Sequence, residues 1–167
     1  MTGEEGEEKA ELVLRAFERA GCPERYYALC ADAGKAPGQW PDLDRQTAAL
    51  TAAGLEARYD GRERFFACRT RGAQADDIGL NVAISAGIEL ILVWERSGGP
   101  FHRAAYLLAE RAGGPLPDPP YPRVTFGSGR PFETAVAESA ALFRDVRAAL
   151  RELILAGDPA GNRGTPA

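Results

Sequence analysis

Ile78-Gly-Leu-Asn-Val-Ala-Ile-Ser85, an Ala86-Gly87 turn, and Ile88-Glu-Leu-Ile-Leu-Val-Trp94 form the stretch that decides the fold. In the first run Ile78, Leu80, Val82 and Ile84 alternate with Gly79, Asn81, Ala83 and Ser85. A period of two marks a strand with one face buried. The second run is apolar on both faces except at Glu89 and Glu95, which predicts a central position in a sheet.

Upstream, residues 55–59 and 62–70 flank Asp60-Gly61. That pair suits a two-residue turn with positive φ, which would set Arg58 opposite Glu63. Three helices are expected before it. The first runs from about Glu4 to Ala20, with Thr2 and Glu5 as a capping box, an apolar stripe of Ala10, Val13, Leu14, Phe17 and Ala20, and Gly21 as its stop. The second spans Pro23 to Ala33. The third spans Leu43 to Ala53, capped by Asp42.

Downstream, Ser97-Gly-Gly-Pro100 breaks the sheet, and a helix is expected from Phe101 to Ala112. Five prolines between Pro115 and Pro122 predict an extended connector. Arg123–Phe126 reads as a strand and Gly127-Ser-Gly129 as the turn after it. Phe132, Val136, Ser139, Phe143, Val146, Leu150 and Leu153 then share one face of a long helix, widened by Ala135, Leu142, Ala149 and Ile154.

The predicted order is α-α-α-β-β-β-β-α-β-α. Strands joined by short turns favour an α+β fold: a mostly antiparallel sheet of about five strands, covered by the N-terminal helices and the long C-terminal helix. One domain is expected over residues 1–156, with a Gly/Pro tail at 157–167.

The net charge of −4, with 26% charged residues, argues against nucleic-acid binding, which usually needs a basic face. Only two of the twenty basic residues, Lys9 and Lys35, are lysines, a bias that nucleotide composition explains without special guanidinium chemistry. Cys22, Cys30 and Cys68 form no C-x-x-C pair and no metal-ligand spacing. Reduced thiols, no metal and no cofactor are expected. The acidic start resembles no signal peptide, and the longest apolar run is too short for a bilayer, so a cytoplasmic location is expected.

Chemistry-bearing residues are sparse. His102 is the single histidine and sits beside the Gly-Gly-Pro break. It could serve acid–base chemistry or pair with Cys30 or Cys68, although a lone histidine is more often a surface residue. Gly127-Ser128-Gly129-Arg130 could cradle an anion but lacks both the phosphate-loop and the dinucleotide pattern. Asp76-Asp77 and the Asp42/Asp44 pair read as turns and caps. No catalytic residue is assigned.

The stronger candidates are aromatics on proline-braced loops, Trp40 and Tyr121, with the adjacent Tyr26 and Tyr27. Rigid aromatics of this kind anchor interfaces. Glu89, the charge interrupting the central apolar run, joins them as a candidate binding residue.

Residues 79–94, together with Tyr121-Pro-Arg-Val-Thr-Phe126 leading into the Phe132–Leu153 helix, resemble small bacterial immunity proteins, which neutralise polymorphic or contact-delivered toxins by binding them. The resemblance covers about half the chain and carries over no contact residue. It implies a non-enzymatic protein-binding module, and the chain's acidic charge favours a basic protein partner. The alternatives are a secretion-type chaperone holding an effector segment, and a small cytosolic enzyme using His102.

Overall fold

The computed structural model describes residues 3–74, 76–95, 101–113 and 122–157. Thr2 of the expected capping box, the Ser97–Pro100 break, the proline connector through Tyr121, and residues 158–167 of the expected tail lie outside the described residues. The architecture is α+β: among the described residues, five helices and a five-stranded antiparallel sheet in the order β1-β2-β3-β4-β5.

Helices α1 (Gly3–Arg19), α2 (Cys22–Cys30) and α3 (Leu43–Ala52) come first. The Asp42 side chain accepts from the Arg45 backbone N–H at 2.8 Å, satisfying an otherwise orphan donor at the start of α3. Strands β1 (Leu55–Asp60), β2 (Phe65–Thr70), β3 (Gly79–Ile84), β4 (Ile88–Trp94) and β5 (Phe101–Ala104) follow as a meander. As expected, β4 is interior, paired with β3 on one side and β5 on the other. Helices α4 (Ala105–Gly113) and α5 (Phe132–Gly157) complete the chain.

Three expectations need correction. The β1–β2 turn holds four residues, so Asp60 pairs with Phe65 and Arg58 faces Ala67 rather than Glu63. The Asp60 carboxylate accepts from the N–H groups of Arg62 and Glu63, its carbonyl accepts from Arg64 N, and Arg64 takes the left-handed conformation at φ 59°. An Asx-type turn thereby displaces the tighter Asp-Gly turn.

The second correction is at residues 101–104, expected as the first turn of a helix and found as β5. Their apolar spacing fits a helix, yet β4 would otherwise leave a buried edge unpaired, and that backbone demand wins. The third is Arg123–Phe126, which is not a strand of the sheet. Only Val124 bridges to Ile88, while Thr125 N donates to Leu29 O at 2.9 Å, so this segment ties α2 to the start of β4.

The core lies on one face of the sheet. Leu80, Val82, Ile88, Leu90, Leu92 and Trp94 point into it. Helix α5 lays Val136, Ser139 and Ala140 over Leu55, Leu80, Val82 and Leu90, and also packs against α1, α2 and α3. Every position of the predicted α5 stripe is buried except Ile154, which is half-buried. Ser139 satisfies its hydroxyl within the helix by donating to Ala135 O at 2.8 Å.

Candidate functional site

Alternation within the strands sends every second side chain to the opposite face of the sheet. The observed register aligns these outward residues in rows. Arg58, Ala67, Asn81, Ile91 and Ala104 follow one another across all five strands. A neighbouring row includes Glu56 opposite Arg69, and Gly79, Val93 and His102 from β3, β4 and β5.

A groove of about 460 Å³ lies on this face. Ala67, Gly79, Asn81 and Val93 lie along it, with Glu56, Arg58, Arg69, Asp77 and Glu95 around them. The low floor has a backbone cause: a Cβ at Gly79 would stand 3.3 Å from Cys68 O. Ile91, Val93, Ala83 and Ala104 are half-buried, whereas Glu56, Arg58 and Glu95 are exposed. The face therefore has an apolar strip with charges at its margins. Arg69 donates to Gln74 O at 3.1 Å, which draws its guanidinium toward the β2–β3 connection.

Of the residues singled out in the sequence, Glu89 lies on this face, opposite Ala83. Trp40 does not line the groove. It stands on its own loop, 48% exposed, with its ring edge-on to Phe126 at 5.6 Å. Phe126 in turn meets Phe132 at 5.1 Å, so Trp40 is braced from beneath and bare above. Leu43, nearby in the chain, is also exposed.

Tyr26 is 1% exposed, and its hydroxyl donates to Pro122 O at 2.7 Å. Burial pushes its phenol far above the usual range. As a binding anchor Tyr26 is withdrawn: its ring belongs to the core. Tyr27 is half-buried with its hydroxyl enclosed and unpaired among the described residues. Tyr121 lies outside the described residues.

His102 is exposed on the open face, paired with Val93. Cys68 is buried on the opposite face, between Leu80 and Ala57 in the register, so the sheet itself separates these two groups. Cys30 ends α2 within the helical layer, in contact with Tyr26. Burial raises the thiols of Cys22 and Cys30 to about 11 and that of Cys68 to about 12. None is poised as a thiolate near neutrality, and the proposed Cys68–His102 pair is excluded by geometry.

The Gly127–Arg130 turn also has a structural explanation. Gly127 N donates to Arg130 O, Ser128 N to Lys35 O and Gly129 N to Ala33 O, which leaves none of the three amides for an anion. Close approach demands glycine here, because a Cβ at Gly127 would lie 2.7 Å from Lys35 O. Arg130 caps the end of α2, donating to Ala28 O and Leu29 O at 3.0 Å and to Thr125 Oγ1 at 3.1 Å. Thr125 Oγ1 donates onward to Ala31 O.

One carboxylate of each acidic pair is likewise engaged, Asp42 as the cap of α3 and Asp77 by Arg147. Asp77 accepts from Arg147 at 2.5 and 2.9 Å, and Asp76 O accepts from the Trp94 indole at 3.0 Å. Among the described residues, no three His, Cys, Asp or Glu side chains converge as metal ligands. No described helix is long and apolar enough to cross a membrane.

Sequence reasoning missed the groove residues Glu56, Arg58, Arg69 and Asn81. Their signal was present in the alternation of residues 55–60, 65–70 and 79–84, where the outward positions other than Phe65 are polar or small. Ile91 and Val93, read only as evidence for a central strand, were the second signal. No family model, curated protein or solved structure matches this chain.

Proposed function

We propose that this chain is a non-enzymatic protein-binding module, acting as an immunity protein that neutralises a toxin by direct contact, and that the open sheet face is its contact surface. One observation carries the reading. Half-buried Ile91 and Val93, with Ala83 and Ala104, form an apolar strip bordered by Glu56, Arg58, Arg69, Glu89 and Glu95. An apolar centre with a charged rim is the anatomy of a protein interface. An open groove across a sheet face suits a macromolecular surface better than an enclosed small substrate.

Acidic groups outnumber basic ones on that rim, in keeping with the chain's net charge of −4. Such a face favours a basic partner and faster association at low salt. Trp40, braced and bare on its loop, is a second candidate anchor outside the groove.

The test is affinity capture from native lysate with the wild-type chain beside Ile91→Arg and Trp40→Ala, each checked for an unchanged melting temperature. The expected result is a basic protein retained by wild type and lost with Ile91→Arg. That protein should be toxic when produced alone and harmless when co-produced with the wild-type chain. Equal retention by Ile91→Arg would remove the open face from the interface. A captured protein with no toxicity to relieve would overturn the immunity role.

A further inference from the structure

The sheet ends on one side at β1, and this edge is unusually regular. Six consecutive residues, Leu55 to Asp60, pair with β2 without a bulge. Among the described residues β1 pairs only with β2, so its outer backbone groups have no strand partner. Proteins commonly blunt such edges with proline, lysine, bulges or short length. Leu-Glu-Ala-Arg-Tyr-Asp contains no proline and no lysine. The opposite edge, β5, has only four residues.

The charges of β1 are self-complementary in the register that also overlaps most of the strand, residues 55–59. Glu56 and Arg58 are exposed on the open face, and neither makes an ion pair among the described residues. In a two-fold antiparallel pairing, residue i meets j while j meets i. Centring the axis on Ala57 sets Glu56 against Arg58 of the partner subunit, and the same contact repeats by symmetry. It also sets Leu55 against Tyr59 of the partner subunit on the helical face. Tyr59 is 40% exposed at this edge. Centring on Glu56 or Arg58 would place like charges opposite each other, which is unfavourable.

We infer that the chain forms a two-fold homodimer through the β1 edge, with Ala57 on the axis and Glu56 paired with Arg58 of the partner subunit. The occupant of the edge is thus a second copy. The product is a continuous ten-stranded sheet with the described helices on one side. Glu56 and Arg58 also border the open-face groove, so the two grooves adjoin at the axis. One strand pair buries less surface than a standard stable interface, so the dimer is a weak one whose population rises with concentration.

The inference is tested on the purified full-length chain alone, so it stands or falls separately from the toxin-binding reading. Sedimentation equilibrium should show mass rising with concentration from 17.9 kDa toward twice that value. Arg58→Glu and Glu56→Arg should each weaken dimerisation about tenfold or more, because each turns two attractive cross-strand pairs into repulsive ones. The double swap Glu56→Arg/Arg58→Glu should restore it. Thermal melts confirm that these exposed variants fold.

Ala57→Cys in a Cys68→Ala background supplies a second readout: Cys68 faces residue 57 within the chain and must be removed, after which a residue on the axis should form an intersubunit disulfide under mild oxidation, since cross-strand Cα separations fall within disulfide range. A chain that stays monomeric at its highest soluble concentration overturns the inference and leaves the edge for another protein's strand. A dimer indifferent to both reversals overturns it equally. A dimer broken by Arg58→Glu but not by Glu56→Arg would move the axis to Tyr59, where Arg58 meets Asp60, and overturn the Ala57 register.

Discussion

The two faces of one sheet are packed very differently in this molecule. On the helical face Leu80, Val82, Leu90 and Leu92 are all nearly inaccessible, and α5 closes over the first three. On the other face the adjacent residues Asn81, Ala83, Ile91 and Val93 remain half-buried. The same strands thus present two chemistries one residue apart, and a shift of register by one would exchange them. The helical face is constrained by packing density. The open face is constrained only weakly by the fold, so its composition is free to serve a partner.

The sharpest expected contrast uses neighbours. Cys68 faces the core, where burial pushes its thiol up to about 12, whereas Ala67 faces the groove. In an Ala67→Cys variant the new thiol should alkylate at neutral pH roughly a hundredfold or more faster than Cys68. Peptide mapping by mass spectrometry reads both sites in one sample. Equal rates would show that the two faces are not distinct in solvent access. Next in size, Leu92→Ala should lose about 2–5 kcal/mol by emptying a fully packed site. That is a large part of the usual stability of about 5–15 kcal/mol. A melt within a degree of wild type would break the assignment of β4 as the structural centre.

Most of the helical face was legible in the sequence, because burial imposes a period. The α5 stripe, the β3 alternation and β4 are all recovered within a residue or two. What escaped was set by distant partners. Phe101–Ala104 has a helical apolar spacing, but the free edge of β4 recruits it as a strand. Val124 bonds to Ile88 and Thr125 to Leu29, contacts that no local pattern encodes. The candidate site was legible only in Glu89, since a solvent-facing row depends on register across five strands. Tyr26 shows the reverse failure. An aromatic beside another aromatic on a helix looks like a surface anchor until its hydroxyl finds Pro122 O inside the core.

The link between α2 and the turn before α5 offers an intermediate effect. Arg130 donates to the carbonyls of Ala28 and Leu29 in the last turn of α2, and to that of Thr125. Arg130→Ala should cost about 1–3 kcal/mol, since these carbonyls lose a charged donor and keep only neutral ones such as Thr125 N on Leu29 O. Arg130→Lys should recover only part of it, because an ammonium cannot reproduce the planar fork. Chemical denaturation at neutral pH measures both. Full recovery by lysine would mean that the charge beside Glu138, 3.7 Å away, matters more than the carbonyl caps.

The smallest expected effect is also the cleanest comparison between the faces. Val82 and Val93 are both valines in interior strands, one pointing into the core and one into the groove. Valine to threonine keeps the shape and β-branching and replaces one methyl with a hydroxyl. At Val82 that hydroxyl would enter a site walled by Leu50, Leu80, Leu90 and Val136, with few polar partners. Burying it should cost about 1–3 kcal/mol. At Val93 the hydroxyl reaches water in the groove, and the change should stay within about 0.5 kcal/mol, the range of ordinary surface substitutions. For a domain of this size, 1 kcal/mol moves the melting temperature by about 2–4 °C, so the pair is resolvable by calorimetry. A loss at Val93 matching that at Val82 would mean that the groove face is as dry as the core in solution. It would then have to be covered in the free protein, and the open face could not serve as the contact surface.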